Sequence, residues 1–236
     1  MKLRLLAAPL AALTLAAGTA SAQDLTSERG KLSYAIGFNT GAELAELSLR
    51  GETVDVSAVV KAIQDAYARK EPAVPVEELR AAVEAMQQRQ AQKVQEEFNA
   101  LAAANKAASD AYLAQNRGAA GVQELPGGVQ YRVLEAGSGA KPTVNSDVQL
   151  SYKGTLPNGQ VLVDTDQATE GQQAGPVTLK INQIPLEGLR EALLQMPAGA
   201  RWEIVLPGEK AYGSSMEAGR MANQAVIFNV KLLSVK

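Results

Sequence analysis

Val148-Gln149-Leu150-Ser151-Tyr152-Lys153-Gly154-Thr155-Leu156 runs into Pro157-Asn158-Gly159, and this stretch decides the fold. It reads as a β run closed by turn chemistry, because Pro presets one backbone angle and Asn-Gly tolerates positive φ. On its far side Val161–Asp164 is a second β run. Further β runs follow at 177–181, 201–206 and 225–235, and one precedes the stretch at 129–134. A single helical stretch, 186–195, interrupts them. Six strands and one helix in this carboxy-terminal half predict an α+β domain in which a curved antiparallel sheet wraps a short helix.

Upstream of Gly118, Gly121 and Pro126 the pattern changes to helix. Residues 24–122 hold only Pro72 and Pro75 and are rich in Ala, Glu, Gln and Leu. Thr26-Ser27-Glu28-Arg29 caps a first helix with Leu32, Ile36, Leu44 and Leu47 on its apolar face. Asp55 or Ser57 opens a second, carrying Val59, Val60, Ile63 and Tyr67. From Val76 to about Asn116 there is neither Pro nor Gly, which predicts a rod of about 60 Å at 1.5 Å per residue. Leu79, Val83, Met86, Val94, Phe98, Leu101, Ala108 and Tyr112 form its stripe. That stripe is narrow and Ala-rich, so the rod is predicted to be solvent-flanked over much of its length.

The first residues read as an export signal: Lys2 and Arg4, an apolar run from Leu5 to Ala17, then Ala20-Ser21-Ala22 as an A-x-A site. Cleavage after Ala22 is expected, and no Cys follows to carry a lipid. With Lys2 and Arg4 removed, the formal charge of −2 becomes −4. The domain reading is therefore 1–22 signal peptide, 23–75 helical dimerisation domain, 76–117 long connecting helix and 118–236 compact domain.

Composition narrows the chemistry. The chain has 236 residues, no Cys and no His. Those absences remove disulfides, Cys/His zinc sites, imidazole acid–base work and Ser-His-Asp or Cys-His pairs. A pI near 5.4 argues against nucleic acid as a partner. Asp164 and Asp166 share a strand end, but two carboxylates are too few for a hard-cation cage. Glu187 and Glu191 stand at i,i+4, as on an ordinary solvated helix face. From the residues alone the reading stops at a helical dimerisation or spacer element joined to an α+β domain, with no cofactor.

A resemblance extends it. The stretch at 148–159, then Gly199-Ala200-Arg201-Trp202-Glu203-Ile204-Val205-Leu206-Pro207 ending in Ala211-Tyr212-Gly213, and finally Ala225–Leu233 resemble three ordered motifs of FKBP-type peptidyl-prolyl isomerases. Leu32–Gly37 and the long helix resemble the amino-terminal domain of the Mip/FkpA-like exported isomerases. The resemblance implies a homodimer acting in the periplasm on proline-containing or unfolded client polypeptides, with macrolide inhibitors as ligands; outer-membrane association or secretion are its alternatives. It implies catalytic roles for Tyr152, Asp164 and Tyr212, with the Tyr152 hydroxyl holding Asp164. It implies substrate contacts from Val163, Leu179, Leu186 through its backbone N–H, Leu189 and Phe228. Val163, Leu179 and Leu189 stand where the family carries aromatics, and Val163-Asp164 comes one residue late. The pocket implied is aliphatic and weaker in catalysis, so a holdase or peptide-binding module is the alternative function.

Overall fold

A computed structural model describes residues 24–168 and 173–236; the expected signal peptide lies outside them. Helix α1 spans Glu28–Leu49, α2 Val56–Tyr67, α3 Val76–Arg117 and α4 Glu187–Leu193. The strands are β1 Val122–Glu124, β2 Gln130–Glu135, β3 Asp147–Thr155, β4 Val161–Asp164, β5 Val177–Lys180, β6 Arg201–Leu206 and β7 Val226–Val235. Contacts divide the chain into two units, Met1–Met86 and Gln87–Lys236, with the cut inside α3.

In the first unit the helices begin where the capping residues put them. Ser27 accepts from the Gly30 N–H, and Asp55 accepts from the Ser57 and Ala58 N–H groups, satisfying donors that a helix start leaves open. Neither α1 nor α2 buries a residue within this chain.

In the second unit all seven strands join one antiparallel sheet in the order β1-β2-β6-β7-β3-β4, with β5 also paired to β3. The expected α+β arrangement is present, with β1 as an additional strand too short to show periodicity. Helix α4 buries Gly188, Leu189, Ala192 and Leu193, and the core around it includes Leu150, Ile181, Met196, Ile204, Leu206 and Leu232. Trp202 is buried and stacks on Tyr131 with centroids 4.5 Å apart.

The apolar stripe does not describe what α3 buries. Its buried residues are Ala102, Asn105 and Ser109, and two of these are polar. Asn105 donates to the carbonyls of Arg220 and Ala222 at 3.1 and 2.9 Å. Ser109 donates to the Asn223 carbonyl at 2.8 Å and accepts the Ala225 N–H at 2.7 Å. Asn223, a non-glycine at φ 59°, donates its side-chain amide to the Ala102 carbonyl, and its N–H goes to the Gly213 carbonyl. Gln130, wholly buried, donates to the Leu113 carbonyl and accepts from Asn116. The end of α3 is thus fastened by side-chain amides and hydroxyls to the loop before β7, rather than by a hydrophobic seam.

This fastening predicts that the sheet domain needs the last turns of α3. A fragment of residues 87–236 is expected to be more stable than one of 118–236 by about 2–4 kcal/mol, from several lost hydrogen bonds worth about 1 kcal/mol each, read by urea denaturation. Ser109→Ala should cost about 1–3 kcal/mol, because it strands a buried donor and acceptor. Equal stabilities of the two fragments would refute the role given to α3.

Candidate functional site

The strands and α4 enclose a cavity of about 680 Å³. Tyr152, Val163, Leu179, Leu186, Leu189, Tyr212 and Phe228 all line it, so seven of the eight residues named from the sequence meet in one place. Leu150 and Val230 line it as well. They lie inside the first and third motifs without having been assigned to the site; each is two residues from Tyr152 or Phe228 on the same strand, and that parity places them on the same face. Ile184 and Pro185 close it ahead of α4, and Asp147, Thr178, Lys180 and Gln183 are its charged and polar lining residues besides the two tyrosines.

Strand register explains the aromatic pair. Tyr152 faces Val230 and Gly154 faces Phe228 across β3 and β7, and the Tyr152 and Phe228 rings sit 6.1 Å apart at a 57° tilt. Gly154 has to be glycine: a Cβ there would lie 2.9 Å from both Phe228 Cε1 and Val163 Cγ1. Leu186 is the residue before α4 and has extended backbone angles. Its N–H therefore belongs to the set that a helix start leaves without an intrahelical acceptor.

Asp164 is the exception. The β3–β4 register passes from Thr155 opposite Val161 to Gly154 opposite Val163, so β4 carries one extra residue at a bulge. A bulge sets two residues against one: Leu162 packs on the core and Val163 lines the cavity. The next residue, Asp164, falls opposite Lys153. Lys153 follows Tyr152 and so points to the other face, where its Nζ lies 3.0 Å from the Asp164 carboxylate. The expected pairing of Asp164 with the Tyr152 hydroxyl is replaced by one with Lys153, and Asp164 lies with Lys153, Asp166, Arg201 and Lys231 in a polar cleft whose lining also includes Tyr152. Its carboxyl is held below the usual range mainly by the Lys153 hydrogen bond. Thr165 bonds the Tyr152 backbone: its N–H and hydroxyl donate to the Tyr152 carbonyl, and its hydroxyl accepts from the Tyr152 N–H.

The cavity is therefore mostly apolar, with the phenols Tyr152 and Tyr212 on its lining and Asp147, Thr178, Lys180 and Gln183 as its other polar members. Burial pushes the Tyr152 hydroxyl above its ordinary pKa, and the neighbouring Tyr212 adds to this. Among the described residues no three Asp, Glu, His or Cys side chains gather as metal ligands. A reaction run by such a site uses no imidazole or thiol, since the chain has neither His nor Cys. Its kcat/KM should stay within about twofold from pH 6 to pH 9, because the Tyr152 pKa lies above its reference of about 10. A bell-shaped profile centred in that range would exclude the site.

A family model described as FKBP-type peptidyl-prolyl cis-trans isomerase matches residues 138–233, and one described as the domain amino terminal to it matches residues 29–133. The chain is 34% identical to the outer membrane protein MIP of Legionella longbeachae, over all of this chain and 99% of that one. It is 34% identical to the peptidyl-prolyl cis-trans isomerase Mip of Coxiella burnetii, over 97% and 96% of the two chains. The crystal structure of FkpA from Escherichia coli superposes with a TM-score of 0.67 at 28% identity, covering 89% of this chain and 98% of that one.

Proposed function

The chain belongs to the FKBP-type peptidyl-prolyl cis-trans isomerases of the Mip/FkpA group, and from that premise we propose how its cavity turns an Xaa-Pro bond. Rotation has to give up amide resonance, against a barrier of about 18–20 kcal/mol. The planar amide is the more dipolar state and is better solvated by water. A dry wall of Leu150, Leu179, Leu189 and Val230 withholds that solvation and so favours the twisted bond in relative terms. In this reading Phe228 and Tyr152 hold the prolyl ring, the Tyr212 hydroxyl donates to one substrate carbonyl and the Leu186 N–H to another. The observation that carries the reading is the meeting of these groups in one apolar cavity. No cofactor enters.

The catalysis is weaker than an aromatic, carboxylate-bearing pocket would give. Val163 occupies the cavity-side bulge position, and Asp164 faces away from it. Leu189→Trp is expected to raise kcat/KM in a protease-coupled tetrapeptide assay, because it closes the aliphatic floor against water. Tyr212→Phe should lower kcat/KM by a few-fold to about tenfold, the worth of one hydrogen bond at ~0.5–1.5 kcal/mol. Asp164→Ala, on the other face, should leave it unchanged. A harmless Tyr212→Phe would remove the proposed donor. The same weakness of the pocket supports the second reading, a holdase for unfolded clients, and aggregation assays on Tyr212→Phe would then show undiminished protection.

The amino-terminal helices serve a homodimer. Leu32, Tyr34, Ile36 and Phe38 on α1 and Val60 and Ile63 on α2 are exposed in the single chain, an apolar surface that a lone domain does not leave to water. A second copy covers it, and clients containing proline are presented to two isomerase domains. Export through the signal peptide, with action in the periplasm or at the outer membrane, is supported by the name of the Legionella relative. The chain of residues 23–236 should sediment as a dimer and residues 87–236 as a monomer; a dimeric 87–236 would refute the assignment.

A further inference from the structure

Glu187 and Glu191 lie one turn apart on α4, an arrangement of like charges that by itself disfavours a helix. They are not on a merely solvated face. Lys210 ends the short 3-10 turn Gly208–Lys210, and its Nζ lies 2.5 Å from Glu187 Oε1 and 2.9 Å from Glu191 Oε1. Glu187 follows Leu186 directly, and Lys210 precedes Tyr212 by two residues. One ammonium group therefore joins the two segments that carry the proposed substrate donors. We propose that Lys210 is a positioning residue of the isomerase site, a clamp that fixes the Leu186 N–H and the Tyr212 hydroxyl at one separation across the cavity mouth. The proposal rests on the donor roles given to those two residues above.

The path of the side chain supports a built clamp rather than a chance surface pair. Lys210 runs past two glycines: a Cβ on Gly127 would lie 2.8 Å from Lys210 Cε, and one on Gly188 would lie 3.0 Å from Lys210 Cβ. Its side chain is 22% exposed, against 63% for Lys61 and 60% for Arg80 in the helical surface pairs, so the charge is less screened than theirs. Glu191 Oε2 is buried with no hydrogen-bond partner among the described residues, which leaves Oε1 and Lys210 to stabilise that carboxylate. The hydrogen bonds from Lys210 hold the Glu187 carboxyl below its ordinary range, and those to Glu187 and Glu191 hold Lys210 above its own. Small displacements of groups that orient a reacting bond are expensive in rate.

The test compares wild type, Lys210→Met, Lys210→Arg and the double variant Lys210→Met/Glu191→Gln, each as the full mature chain. Lys210→Met should lower kcat/KM by about fivefold, and Lys210→Arg should keep at least about half, since Arg can hold two carboxylates. Wild-type kcat/KM should fall about twofold between 20 mM and 500 mM NaCl as the partly exposed pairs are screened, while Lys210→Met stays flat. The double variant should recover the melting temperature without the rate. Recovery of both would reduce Lys210 to a neutraliser of a buried carboxylate and overturn the proposal, as would a Lys210→Met rate within about 1.5-fold of wild type. A wild-type chain without isomerase activity would overturn the reading of the site instead. Lys210 would then be judged by backbone amide resonances: Leu186 and Tyr212 shifting together in Lys210→Met supports the clamp, and unmoved resonances refute it.

Discussion

The ladder between β3 and β7 joins the two longest strands of the chain, from Val148 opposite Val235 to Thr155 opposite Ile227. Residues that face each other across an antiparallel pair share a side of the sheet, and alternate residues along each strand do so too. The register therefore puts Leu150, Tyr152 and Gly154 on one side with Leu232, Val230 and Phe228. A slip by one residue would exchange this whole set for Ser151, Lys153 and Lys231. The cavity, its aromatic corner and the seat of α4 all depend on that register being held.

Around this ladder the site is assembled from elements distant in sequence. β4 supplies Val163, β5 supplies Leu179, the start of α4 supplies Leu186 and Leu189, and the segment after β6 supplies Tyr212. Two polar fastenings hold the segments that flank the sheet. Asn105 and Ser109 of α3 fix the loop before β7, and through Asn223 that loop reaches Gly213, next to Tyr212. Lys210 ties the same segment to α4. Tyr212 is thus bracketed by hydrogen bonds and an ion triad on a stretch with little regular structure of its own, which suits the proposed donor role of a side chain 42% exposed.

Much of this was legible in the residues. The capping groups Ser27 and Asp55, the unbroken run that becomes α3, every strand but β1, and α4 all follow from local rules of periodicity, caps and turns. The motif-bearing positions Tyr152 and Phe228 reach a common side by strand parity once the sheet exists, while Leu186, Leu189 and Tyr212 are marked by their motif positions at the start of α4 and after β6. Leu150 and Val230, inside the same two strand motifs, obey the same parity.

What the residues left open was settled by pairing. The family resemblance implies that Val163 and Asp164 both serve the site; the bulge opposite Gly154 puts Val163 in the cavity and Asp164 beside Lys153. The polar positions of α3 look solvent-facing by hydrophobic pattern, yet Asn105 and Ser109 are buried because backbone groups of a loop more than a hundred residues later need partners. Glu187 and Glu191 look like an ordinary helix face until Lys210 arrives between them. By itself the sequence determined which segments become helix and strand, since those are local choices of dihedral angle and apolar spacing. Tertiary structure alone decided which face a side chain presents after a bulge and which polar groups satisfy one another, because both depend on contacts between residues that the chain order does not bring together.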